Sequence, residues 1–170
     1  GFLTAIIRSC GKPEMVRYCY RGTAQIGRIG VVGTHKAVTR LLFEEDTPPA
    51  DAEPGECPLL REALRQITAY LEGRLRCFDL PLAPEGTPFM RRVWKRVLEV
   101  PYGTTASYGQ IARAIGRPGA ARAVGMANGA NPIPILIPCH RIIGADGTLI
   151  GYGGGLSRKA RLLEIERSLF

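Results

Sequence analysis

Histidine is scarce in this chain: His35 and His140 are the only two in 170 residues. The five cysteines, Cys10, Cys19, Cys57, Cys77 and Cys139, are irregularly spaced and include no CxxC pair. A closed zinc site takes four such ligands at characteristic spacing, so no metal is expected, and the odd cysteine count fits a reducing cytoplasm. Cys19, Cys57 and Cys77 are expected to be small buried hydrophobes. No apolar run approaches the roughly 20 residues of a membrane span. The opening "GFLTAII" has neither a basic leader nor a small-residue cleavage site, and no role is assigned to the first residues. These absences point to a soluble protein without a membrane partner. The glycines of "GYGGG" (151–155) do not follow GxGxxG and no GK[ST] comes after them, so a nucleotide-phosphate loop is excluded and no cofactor is expected.

What is present is ordinary globular composition, 45% hydrophobic and 22% charged, in a length that suits one compact unit or two small ones sharing a boundary. The net charge of +8 is unevenly spread. Between Pro88 and Ala130 seven basic residues face one acid, Glu99, whereas "EEDTPPADAEPGE" (44–56) carries six acids and three prolines and reads as a solvated loop. The basic half is therefore the candidate surface for an anionic partner.

Three β-rich runs, 15–20, 25–32 and 36–43, predict an antiparallel meander, and Leu60, Leu64, Ile67 and Leu71 recur at helical spacing. The Pro-rich "DLPLAPEGT" (79–87) places a boundary that separates a domain over 1–80 from one over 81–170. Beyond it, Thr87 and Pro88 open an amphipathic helix whose apolar stripe includes Trp94, a core residue. Ser107 and Gln110 form a capping-box signature for a second helix, which Gly116 ends. A third helix follows over 120–130, completing a helix-turn-helix candidate. Ala121, Ala123 and Gly125 leave that helix nearly bare apart from Arg122, Val124, Met126 and Asn128. Such a surface suits either tight packing or close approach to a duplex.

The run "NPIPILIPCHRIIG" (131–144) holds three prolines, which fix their torsions and lack amide donors, and it is expected to be extended, rigid and buried. It delivers Cys139 to a set position. Apolar surroundings raise a thiol pKa, so Cys139 is either a core residue or a nucleophile supplied with a base. On an extended backbone His140 points away from its neighbour, which favours contact through a bridging water. Glu166 lies on an apolar helical stripe with Leu162, Leu163 and Leu169, where a carboxylate needs a partner unless it faces water.

"IPCHRIIG", with "SYGQIARAIG" and "RAVGMANGANPIPIL" before it and "GYGGGLSRKARLLEIE" after it, resembles the O6-alkylguanine-DNA alkyltransferase family from about Thr87 to Glu166. The first half is similar only in its sheet-and-helix pattern. The resemblance implies an α+β fold, with a small antiparallel sheet and helix of ribonuclease H-like pattern followed by a helical domain that carries the cysteine. It implies single-turnover DNA repair, in which an alkyl group passes irreversibly from guanine O6, or less readily thymine O4, to Cys139. His140 is then the base through water, Glu166 the acid that orients it, Asn131 the brace of the active-site turn, and Tyr108 a stabiliser of the departing base. Arg122 is the finger that replaces the flipped nucleotide, with Ala121, Ala123, Gly125 and Tyr108 against the minor groove of double- or single-stranded DNA. Tyr152, Gly153, Gly154 and Pro134 wall the alkylguanine pocket, and glycine at 154 is expected to leave room for bulky groups. The protein is expected to act as a monomer that can assemble cooperatively on DNA. From the residues alone, a cysteine hydrolase and a non-enzymatic DNA-binding module remain open.

Overall fold

The structure, a computed structural model, describes residues 14–167. Cys10 and Leu169 lie outside the described residues. Strands β1 (Arg17–Thr23), β2 (Gly27–Gly33) and β3 (Val38–Leu42) form the expected antiparallel meander. At the β2–β3 turn a side chain on Gly33 would come within 2.4 Å of the Ala37 carbonyl oxygen, so the close approach of the two backbones requires glycine there.

The acidic loop is not wholly solvated: Glu53–Pro54 forms β4, which pairs parallel with β1 and makes the sheet mixed, in the order β3-β2-β1-β4. The Glu53 and Gly55 N–H groups donate to the Val16 and Tyr18 carbonyls, covering an edge that β1 would otherwise leave open. Helix α1 (Pro58–Leu71) lays Leu60, Leu64 and Ile67 on Ile29 and Val31 of the sheet. Each such buried side chain stabilises the half by about 2 kcal/mol. Cys19 and Cys57 are half-buried, but Cys77, expected to be buried, is exposed in the segment after α1.

The Pro-rich segment runs along the sheet edge. The Val38 N–H donates to the Pro81 carbonyl and the Ala83 N–H returns to Val38. One apolar cluster then continues from the sheet through Trp94 to Cys139, so the two halves share a core.

Helix α2 (Pro88–Val97) starts as its sequence predicts, with the Thr87 hydroxyl accepting from the Met90 N–H at 3.2 Å. Trp94 is buried, and its indole N–H donates to the Ala127 carbonyl at 2.8 Å, tying α2 to the helix that carries Arg122. Both halves of the Ser107/Gln110 capping box are formed at α3 (Tyr108–Ala114), and Gly116 takes a φ of 75° just beyond its end. Helix α4 (Ala121–Gly129) packs on α2 and α3. Two-residue strands β5 (Ala106–Ser107) and β6 (Ile142–Ile143) pair in parallel, and α5 (Leu156–Arg167) ends the described chain.

The run expected to be extended doubles back instead. Ile135 takes a φ of 72°, a left-handed conformation that costs a β-branched residue about 1–3 kcal/mol, and Cys139–Arg141 forms a single 3-10 turn. The physical reason is Asn131. Its Oδ1 accepts from the Ile133 N–H at 2.9 Å while its Nδ2 donates to the Ile137 carbonyl at 3.0 Å, closing a loop that the prolines alone would leave straight.

Candidate active site

Cys139 is only 3% exposed, yet it lies at the floor of a cavity of about 420 Å³. Asn131, Pro134 and Tyr152 share that floor, and Gly153 and Gly154 form part of the wall. The N-terminal half also lines it, through Arg40 to Phe43 and through Asp46 and Thr47. The space beside the thiol is therefore enclosed by both halves of the chain.

The glycines of the wall serve close packing. A side chain on Gly154 would meet the Phe43 ring at 2.5 Å and the Tyr152 ring at 2.7 Å, so glycine is what lets these two rings close on the loop beside the cavity. At Gly153 a side chain would come within 2.9 Å of the Gly129 carbonyl oxygen, so only glycine brings this loop so close to the end of α4.

Behind the thiol is a sealed charge cluster. His140 Nε2 lies 2.8 Å from Glu166 Oε1, and the Arg141 guanidinium donates to both oxygens of the same carboxylate at 2.8 to 3.1 Å. Arg141 also donates to the Val100 carbonyl, and the Gly103 N–H donates to Glu166 Oε2. Burial would raise the Glu166 pKa, but the bonds from His140 and Arg141 outweigh it and bring it from 4.5 down to about 2. An ionised carboxylate only accepts hydrogen bonds, so the His140 proton sits on Nε2 and the basic lone pair is on Nδ1. That Nδ1 is buried and has no hydrogen-bond partner among the described residues. Burial lowers the His140 pKa, against the pull of Glu166, and keeps the ring neutral and able to take a proton.

The thiol is itself held protonated. Burial pushes the Cys139 pKa up to about 11, and the Asn131 amide, the Lys159 ammonium and the backbone N–H groups of Cys139 and His140 counter this only in part. Nucleophilicity must therefore come with proton removal and not from a standing thiolate. Lys159 is fully buried and donates to the Ile142 and Ile150 carbonyls, which anchors the glycine loop close to the sulfur.

The helix-turn-helix residues form a second, outer group. Arg122 and Ala123 are exposed, Ala121 is half-buried, and Met126 is 73% exposed. Gly125 faces the Tyr108 ring, to which a side chain there would come within 3.7 Å, so part of the bare surface of α4 serves packing. The Tyr108 hydroxyl donates to the Ile150 carbonyl at 2.7 Å. Neither Tyr108 nor Arg122 lines the cavity.

Four residues given no role in the sequence reading belong to the site. Arg141 adjoins the Cys-His pair and Asn128 is a polar residue on a bare helix; Asn128 donates to the Cys139 carbonyl at 3.2 Å, and both carried a weak local signal. Lys159 looked like any helical lysine. Tyr70, on α1, donates to Glu166 Oε1 at 2.7 Å across 96 positions of sequence, and nothing local marks it.

Residues 88–168 match the DNA binding domain of 6-O-methylguanine DNA methyltransferase, and residues 19–84 match its ribonuclease-like domain. A methylated-DNA--protein-cysteine methyltransferase of Mycobacterium tuberculosis is 49% identical over 148 residues, covering 84% of this chain and 88% of its own. One from Methanosarcina barkeri is 49% identical over 147 residues, covering 84% and 92%. The crystal structure of Mycobacterium tuberculosis OGT in complex with DNA superposes with a TM-score of 0.84 at 48% identity, over 89% of this chain and 93% of that one.

Proposed function

The chain belongs to the 6-O-methylguanine DNA methyltransferase family and acts in DNA repair by transferring alkyl groups from DNA to a protein cysteine; we propose that Cys139 is that cysteine, acting once per molecule. The observation that carries this reading is the pairing at Cys139: an open cavity on one side and, on the other, a neutral imidazole whose Nδ1 is free while Nε2 is held by Glu166. His140 Nδ1 takes the thiol proton through a bridging water. The sulfur attacks the alkyl carbon, the bond from carbon to guanine O6 breaks, and its electron pair leaves with the base. The new carbon–sulfur bond is a thioether, which no group at the site is equipped to cleave. Thymine O4 presents the same alkyl-oxygen bond and is the lesser substrate.

Guanine O6 lies inside the stacked duplex, so the lesion must be flipped out before it reaches a sulfur this deep. The bare face of α4 suits the minor groove, with its one basic side chain, Arg122, filling the gap left by the flipped nucleotide. Tyr108 stabilises charge on the departing base. Its hydroxyl is engaged by Ile150, so this role requires exchange of that bond for one to the base. A reducing cytoplasm preserves the thiol until it is used.

The test is intact-mass measurement and peptide mapping after mixing with methylated duplex DNA. One methyl per molecule on the peptide containing Cys139 is expected. Cys139→Ser should retain DNA affinity and gain no methyl. Repeated turnover on excess oligonucleotide, or methyl on another residue, would overturn the assignment.

A further inference from the structure

Tyr70 brings a hydroxyl from the N-terminal half into the charge cluster, and the transfer chemistry as described does not use it. It is fully buried at the end of α1, its ring packed against Phe78 and Tyr102. Its hydroxyl donates to Glu166 Oε1 at 2.7 Å and lies 3.2 Å from His140 Nε2. We infer that Tyr70 is a positioning residue for His140: by sharing the Glu166 carboxylate it fixes the imidazole with Nδ1 free and keeps it an unprotonated base.

The cluster faces a conflict that this arrangement resolves. A buried, fully ionised carboxylate 2.8 Å from an imidazole orients it but also favours the imidazolium, which has no lone pair with which to accept the thiol proton. Donors that draw on the same oxygen weaken that pull without moving the carboxylate. Arg141 is one, and Tyr70 is the other. Lys159 from α5 also disfavours the imidazolium by its charge, and Tyr102 packs edge-on against Tyr70 beneath Arg76 and Arg141. Of these only Tyr70 comes from the N-terminal half and bonds directly to the carboxylate. Burial holds its phenol far above its ordinary pKa, so it stays a donor across the working pH range.

Tyr70→Phe removes the hydroxyl and keeps the ring. The inference rests on the alkyl-transfer reading, so two measurements separate them. The first is the single-turnover transfer rate against pH with O6-methylguanine as free base, which avoids DNA binding. The loss should be severalfold near neutrality, with the acidic limb displaced upward by about half a pH unit or more, because a less-shared Glu166 makes His140 more basic. The second is the ¹⁵N chemical shift of the His140 ring against pH in Cys139→Ser with and without Tyr70→Phe, which needs no activity and uses His35 as internal control. Its midpoint should rise in the double variant. A uniform rate loss with an unmoved limb, or an unchanged or lowered midpoint, would overturn the role of Tyr70 and leave the transfer reading standing. A parent protein that transfers nothing would overturn the latter alone. Should Tyr70→Phe prove too unstable for the rate assay, the ¹⁵N comparison at low temperature decides the matter.

Discussion

The two sides of the Cys139 turn are built in opposite ways. Behind the sulfur, both oxygens of Glu166, the Nε2 of His140, the guanidinium of Arg141 and the hydroxyl of Tyr70 all have partners within 3.1 Å. In front, Asn128 Oδ1 and the Tyr152 hydroxyl, both from residues lining the cavity, have no hydrogen-bond partner among the described residues, and His140 Nδ1, which lies outside the cavity lining, has none there either. Unpaired buried polar atoms are costly and rare. Two of these three belong to residues that line the cavity holding the thiol and the third is the lone pair of the base next in sequence to it, while the bonded atoms around Glu166 hold that base in register.

The sharpest way to break the contrast is at its most heavily bonded atom. Glu166→Gln leaves Arg141 buried without a counter-charge and removes what fixes the His140 tautomer. It should destabilise the protein by about 3–5 kcal/mol and slow transfer by about 10²-fold, read by thermal melting and single-turnover rates. The same residue predicts an acid limb of stability. Its pKa is depressed from 4.5 to about 2, so the unfolded chain takes up the proton first. The Glu166 contribution is thus complete above roughly pH 5 and is lost as the pH falls towards 2. A melting temperature that stays level through that window would contradict the assignment of charge.

On the open side an intermediate effect is expected. Arg122→Ala should reduce transfer from duplex DNA by about tenfold more than transfer from a free alkylguanine base, because only the duplex requires a flipped nucleotide to be replaced. Equal losses on both substrates would remove the finger role. The smallest effect is the most diagnostic. Tyr152→Phe deletes a hydroxyl with no protein partner and should leave stability within about 0.5 kcal/mol, whereas Tyr70→Phe deletes one that is fully engaged. Equal destabilisation by the two would erase the distinction between the sides.

Local features of the fold were legible because their physics is local. The Thr87 cap, the Ser107/Gln110 box and the Gly116 stop all act within four residues, and the Leu60-Leu64-Ile67 stripe is set by helical period. The cysteine, histidine and glutamate of the site were legible through their motif. The pairing of β4 with β1 was not, because two residues carry no period and the edge they cover is more than 30 positions away. The reversal at Ile135 escaped for a related reason: three prolines suggest extension, and it is the two hydrogen bonds of Asn131, with the Ile137 N–H donating to the Ile133 carbonyl, that close the run into a loop.

The sequence by itself determined which groups are available: one thiol beside one imidazole, a nearly bare helix with one arginine in a basic half, and a carboxylate on an apolar stripe. Tertiary structure alone decided how they are wired. It brought Tyr70 to Glu166, set Phe43 and Arg40 around the same cavity as Cys139, and buried the thiol deeply enough to hold its proton. Hydrogen bonds and desolvation act over a few ångströms of space, and no pattern along the chain records which distant residues will share those ångströms.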